Sequence, residues 1–321
     1  MTDATHRSPV LPVAGAAMVG AVLAFQSVIN GDLSEAGAGM ILSGWVAYIG
    51  ALVSLIVVVV VTGRAGHTVS AIRTKGNWAW FAFGLAGVPL VLGMAGGVPL
   101  VGAAIASVCS IAGQTLGGLA FDTKGIGRDH PLPLTAPRAM AGLVALVGLV
   151  IAVTGGVGGG SGSAGADDGG TTLWVTVGIG VALLIGGIIM CIQQAGTGFV
   201  TGLVGDPVTP ALTAVTGGTV GVTLFLLLSS AWGGLSGLSL PGVHQWWLYL
   251  GGPLGAIATV ISAWAVRRLG VFMMTLSLVG GQMLTSILID AVRQGAISWP
   301  TVIAALVICG AVVLAMPRKA A

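Results

Sequence analysis

Two ten-residue stretches of the chain carry one phrase. The first is Gly113-Gln-Thr-Leu-Gly-Gly-Leu-Ala-Phe-Asp122, the second Gly281-Gln-Met-Leu-Thr-Ser-Ile-Leu-Ile-Asp290. Each has Gly-Gln followed by an aspartate eight residues after the glutamine, and each lies in an apolar run. An amide and a carboxylate are costly to hold in such surroundings. Their return at matched positions points to an internal duplication. Sliding one half over the other extends the match: Gln26 falls on Gln193, Gly31 on Gly198, Gly50 on Gly217, Trp80 on Trp247 and Gly84 on Gly251, all at an offset of 167. Gln114 falls on Gln282 and Asp122 on Asp290 at 168. Glycine matches alone carry little weight with 55 glycines, but the rarer Gln, Asp and Trp establish a repeat.

Composition fixes the class. Of 321 residues, 55% are apolar and only 7% charged, and the mean hydropathy is +1.04. Soluble domains carry about 25% charged residues, so this is a polytopic membrane protein. Glycine pairs four apart, such as Gly113/Gly117 and Gly251/Gly255, let membrane helices approach closely. Cys109, Cys191 and Cys309 stand singly in apolar segments without CxxC spacing, which supports neither a disulfide frame nor a metal site. No cofactor and no nucleic-acid partner is indicated; the bilayer and a small-molecule substrate are the expected partners.

A spanning helix needs about 20 apolar residues. Ten segments qualify, near 10–31, 40–62, 77–97, 99–121, 138–156, 173–196, 208–229, 245–266, 269–290 and 299–316. With a cytoplasmic N-terminus, eleven of the twelve Lys and Arg fall on the inner side and only Arg293 outside. The positive-inside rule therefore places both termini in the cytoplasm. Most tryptophans sit near helix ends, at interfacial depth, while Trp45 and Tyr48 lie deeper, facing either a cavity or a packed neighbour. A Gly/Ser linker at 157–172 separates a first five-helix repeat, 1–156, from a second, 173–321. Five is odd, so the second repeat enters from the opposite side. The expected fold is all-α, ten transmembrane helices as two inverted-topology repeats, an architecture common among transporters that bind substrate at the repeat interface.

The phrase Ala24-Phe-Gln-Ser-Val-Ile-Asn-Gly-Asp-Leu33 and the two Gly-Gln-x7-Asp phrases resemble the YdcZ-type family of bacterial inner-membrane transporters, within the drug/metabolite transporter superfamily. The resemblance covers nearly the whole chain. It implies the inverted five-plus-five fold and movement of small metabolites or drugs, commonly outward. The chain departs from the pattern where Asn30 has Thr197 as its counterpart, and where Gln193-Gln194 stands for Gln26-Ser27, so the expected site is asymmetric. The membrane-embedded first-helix glutamate of the related small multidrug resistance proteins has no equivalent.

The candidate substrate-binding residues are Gln26, Asn30, Gln114, Gln193, Gln194 and Gln282. Gln26 and Asn30 share one helix face, and Gln193 and Thr197 repeat their spacing. Such amides donate and accept hydrogen bonds without titrating, and can equally cross-link helices. Asp122 and Asp290 end their helices at opposite mouths and are the gating or coupling candidates, for a proton or cation, with Lys124 and Arg293 as local partners. Asp206-Pro207 reads as a helix N-cap. Pro89 and Pro253 interrupt the third helix of each half and are hinge candidates. Phe272, Met273 and Met274 form an apolar run suited to a cavity wall or the core. The expected function is a secondary active exporter, as a monomer or homodimer. The rival readings are a channel and a non-transporting accessory subunit. A membrane enzyme is disfavoured, since no HExxH or GxSxG occurs.

Overall fold

A computed structural model of the chain describes residues 10–101, 103–126, 131–156, 171–294 and 299–315. Apart from Thr171 and Thr172, the expected linker lies outside them. Most of the described residues are helical, in the order α1 (Val10–Leu33), α2 (Gly39–Val61), α3 (Ala65–Lys75), α4 (Trp78–Leu85), α5 (Val88–Val101), α6 (Ala103–Thr123), α7 (Ala136–Gly156), α8 (Thr171–Val204), α9 (Val208–Ala231), α10 (Gly251–Leu269), α11 (Val271–Gln294) and α12 (Trp299–Ala315).

Five helical stretches are long and apolar enough to cross a membrane, and six if the bent pair Ala65–Lys75 and Trp78–Met94 is taken as one span. The first stretch, Val10–Val61, has 52 residues. As one straight helix it would be about 78 Å long, well beyond a hydrocarbon core of about 30 Å. It breaks at a π-helical turn, Ser34–Ala38, where Gly37 takes φ 117°. Gly39 follows at φ 63°. Only glycine adopts these values cheaply.

Four features depart from the segments expected from sequence, the first being that the single helix expected at 77–97 is broken into α4 and α5. Residues 65–75, expected as a loop, form α3, which meets the next helix at 103°. Helix α8 continues eight residues past its expected end, to Val204. The segment expected at 245–266 begins instead as a 3-10 turn, Val243–Tyr249, before α10. Pro89 and Pro253 both stand in the first turn of a helix, α5 and α10, and each follows a break. A missing N–H costs little there, so neither proline disrupts a helix interior.

The packing is interwoven. Helix α1 packs on α10 and α11; its counterpart under the offset, α8, packs on α4, α5 and α6. Helix α2 packs on α10, and its counterpart α9 on α4; α2 also meets α9, and α7 meets α12. The closest crossings match residue by residue. Gly20 lies against the backbone of Leu278 and Gln282, and Gly187 against that of Ser110 and Gln114. Gly113 lies on the Leu184 carbonyl and Gly281 on the Ala17 carbonyl. Every member of one set maps onto the other at 167 or 168. The core gathers around α11, whose residues Val271–Ser277 are all buried, so the run Phe272, Met273, Met274 belongs to the packed interior. Large apolar side chains on α2 (Val53, Val57, Val61) and α9 (Leu224, Leu228) are exposed, the outward face of a lipid-embedded bundle.

Helix α3 is tied to the turn between α8 and α9. Arg64 pairs with Asp206 at 2.8 Å, Lys75 Nζ donates to the Leu203 carbonyl at 3.0 Å, and the Thr68 and Thr209 hydroxyls are 3.4 Å apart. Asp206 accepts from the Thr209 backbone N–H at 3.2 Å and from its hydroxyl at 3.1 Å, capping α9. Asp206→Ala is expected to cost about 1–2 kcal/mol. Arg64→Ala, with its half-exposed guanidinium, should cost about 1 kcal/mol or less. Thermal unfolding in detergent reads both. Equal losses would mean that the cap contributes nothing beyond the ion pair.

Candidate functional site

A cavity of about 290 Å³ lies between the halves, lined from α1, α2, α5, α8, α9, α10 and α11. Helix α1 supplies Leu23, Gln26 and Asn30, and α8 supplies Met190, Gln193, Gln194 and Thr197. These are counterpart helices, and their four-residue spacings turn the polar side chains to one face. Gly44, Ala47, Tyr48 and Ala51 form the α2 wall, and Gly255, Ala258, Thr259 and Ser262 the α10 wall. No Asp, Glu, Lys, Arg or His is among the described lining residues.

Glycines make room for the amides. A Cβ at Gly87 would strike the Gln193 side-chain oxygen, and one at Gly251 the Asn30 oxygen. A Cβ at Gly255 would stand 3.0 Å from Gln26 Nε2. Gly87 and Gly255 are 168 apart, and Gln193 and Gln26 are 167 apart, so these two contacts are equivalents. The backbone carbonyl of Asn30 accepts from Ser43 at 2.7 Å. Trp45, expected either at a cavity or in packing, donates through Nε1 to Thr223 at 3.0 Å. Tyr48 reaches the cavity.

Of the sequence candidates, Gln26, Asn30, Gln193 and Gln194 line the cavity, whereas Gln114 and Gln282 do not. Gln114 sits one step behind: its Oε1 accepts from Gln194 Nε2 at 3.5 Å, and Gln194 Oε1 accepts from Thr275 at 3.4 Å. Gln282 lies at the close crossing with Gly20. Sequence reading named Gly251 and Gly255 only as packing glycines, and missed Gly87 and the hydroxyls of Thr259 and Ser262. The offset of 168 that joins Gln114 to Gln282 sets Gly87 opposite Gly255, a signal that could have singled out that pair.

Asp122 is fully buried and its partner is Arg138, at 2.6 Å, rather than the expected Lys124, which is exposed. It also accepts from the backbone N–H of Val271 at 2.8 Å and of Phe272 at 3.3 Å. The carboxylate thus caps the N-terminus of α11, where the helix dipole favours negative charge. Arg138 stacks over Phe272, 5.3 Å from the ring centre. One charge cluster therefore joins the end of α6, the start of α7 and the start of α11. The side chains of Asp290 and Arg293 lie outside the described residues.

A helical bundle with several helices long and apolar enough to cross a membrane, and a cavity lined by amides with no charge among the described lining residues, fits the class of membrane transport proteins. The chain belongs to the family described as "Putative inner membrane exporter, YdcZ", of the drug/metabolite transporter type, whose model matches residues 11–151 and again 178–314. It is a multi-pass protein of the inner membrane. A solved crystal structure of a chain 16% identical superposes with a TM-score of 0.66 over 96% of each chain, a likeness of fold. No curated protein matches the chain in sequence.

Proposed function

We propose that the chain is a secondary active transporter that exports small metabolites or drugs by alternating access between two inverted repeats, 1–156 and 173–321, with ten spans and both termini cytoplasmic. The observation that carries this reading is the cavity itself, lined by counterpart residues of the two halves. Two related halves offer two near-equivalent arrangements, one open to each side, which is what alternating access requires. The reciprocal glycine crossings and the double match to one family model support the inverted repeat.

The two ends of the bundle support it further. On the proposed inner side, α3 is held to the α8–α9 turn by the Arg64–Asp206 pair. On the outer side, the loop before α10 meets the α1–α2 turn, with the Ser239 N–H donating to the Gly37 carbonyl at 2.9 Å. Alternate release of these two contacts would open one mouth at a time. Gln26, Asn30, Gln193 and Gln194 hold the substrate, while Gln114 positions Gln194. Asp122 serves as an anchor for α11; Asp290 is the remaining candidate for coupling to a proton or cation.

Sealed proteoliposomes test the reading. Saturable, gradient-driven flux is expected, and the double variant Gln26→Ala/Gln193→Ala should lose at least about tenfold of it, the scale of two substrate hydrogen bonds, while keeping wild-type helicity. Ohmic conductance in planar bilayers without saturation would identify a channel instead.

A further inference from the structure

We infer that the cavity takes a compact, uncharged solute with an amide-type edge, a carbonyl and an N–H side by side, and rejects organic cations and anions. This deepens the transport reading and rests on it. Three side-chain oxygens at the cavity, Gln26 Oε1, Asn30 Oδ1 and Gln193 Oε1, are buried, and among the described residues no donor reaches them. A buried carbonyl left unpaired is costly, and native proteins leave few of them. Asn30 Oδ1 and Gln193 Oε1 are turned onto the backbones of Gly251 and Gly87, so a ligand supplies the missing partner once the amide swings its oxygen into the cavity.

An amide carries donors and an acceptor side by side. Half a turn about the last torsion of the side chain exchanges the oxygen and nitrogen positions. Each of these residues can therefore present its acceptor to the cavity when a ligand donor is there to meet it. A group with both functions on one edge pairs with such an amide through two parallel hydrogen bonds, as Asn and Gln do with adenine. Thr259 and Ser262 add hydroxyls to the same wall.

Charge is selected against. An ion would enter a site with no countercharge among its described lining residues, and an unpaired charge out of water is strongly disfavoured. Size is limited too, since 290 Å³ holds about ten water-sized groups. Leu23, Val91, Met190 and Leu278 give the rest of the cavity an apolar surface. The cargo therefore has an apolar body about the size of a substituted six-membered ring.

Four probes sharing one ring separate these features: nicotinamide (uncharged amide), methyl nicotinate (uncharged, without N–H), nicotinate (anion) and 1-methylnicotinamide (an amide-bearing cation). Titration calorimetry on the full chain in lipid nanodiscs should show saturable nicotinamide binding, at least tenfold tighter than each of the other three. Gln26→Leu/Gln193→Leu should weaken it at least tenfold. The ranking is read on the wild-type chain, so it stands even where a variant fails to fold. Equal or tighter binding of the cation, the anion or the ester overturns the inference, as does the lack of saturable nicotinamide binding. Flux of a charged solute without nicotinamide binding would overturn the amide assignment and leave the transport reading intact. Nicotinamide binding with no flux of any solute would overturn transport and leave the assignment standing.

Discussion

Asp122→Ala is expected to destabilise the folded chain by about 3–5 kcal/mol, the scale of breaking a buried ion pair from one side. The alanine strands a mostly buried Arg138 guanidinium. It also leaves the Val271 and Phe272 N–H groups without their side-chain acceptor. Arg138→Met should cost clearly less, about 1–3 kcal/mol. The carboxylate then keeps two backbone donors and the α11 dipole, and the methionine retains an apolar stem over Phe272. Asp122→Asn should fall between them, because an amide oxygen still accepts from one backbone N–H. Unfolding in mixed micelles, followed by loss of helicity, gives the order. If Asp122→Ala costs no more than Arg138→Met, the cap on α11 is idle and the pair alone matters. If Asp122→Ala leaves stability unchanged but abolishes gradient-driven flux, the coupling role expected from sequence is restored.

That carboxylate also shows where sequence reading stops. Its isolation in an apolar run and its twin at Asp290 were legible, because rare polar residues repeat against a bland background. Its partner was not. Lys124 is two residues away and Arg138 sixteen, yet it is the more distant cation, at the start of α7, that is buried against the carboxylate. The Val271 and Phe272 amides come from 149 and 150 residues further on. Helix α3 escaped for a different reason: Gly66-His67-Thr68-Val69-Ser70 has no apolar run, and its helix is held by contacts to the α8–α9 turn. The end of α8 was misplaced because Gln193, Gln194, Thr197 and Thr201 lower its apolarity. Those side chains face the cavity or bond back to the helix, as Thr201 does to the Thr197 carbonyl at 2.7 Å. A polar stretch in a membrane helix reads as an end when it is a lining. The glutamines split in the same way. Gln26 and Gln193 reach the cavity; Gln114 supports Gln194, and Gln282 lies at a helix crossing.

The crossings at Gly113 and Gly281 carry the second large effect. A methyl group on Gly113 would fall into the Leu184 backbone of α8, and one on Gly281 into the Ala17 backbone of α1. Neither obstacle is a flexible side-chain end, so α6 and α8, or α11 and α1, must separate. Gly113→Ala and Gly281→Ala should each cost about 2–3 kcal/mol, the upper range for an overpacked core, despite the gain in helix propensity. Gly31→Ala, where nothing lies within 4 Å of the added carbon, should be neutral or stabilising by up to about 1 kcal/mol. The equivalence of the two sites makes the sharper demand. Leu184 and Ala17 are themselves 167 apart, so the two variants perturb the same contact in opposite orientations, and their costs should agree to within about 1 kcal/mol. Unfolding midpoints measured side by side decide it. A large cost at one glycine and none at the other would mean that the crossings are not equivalent, and with them would go the physical basis for two interconvertible halves.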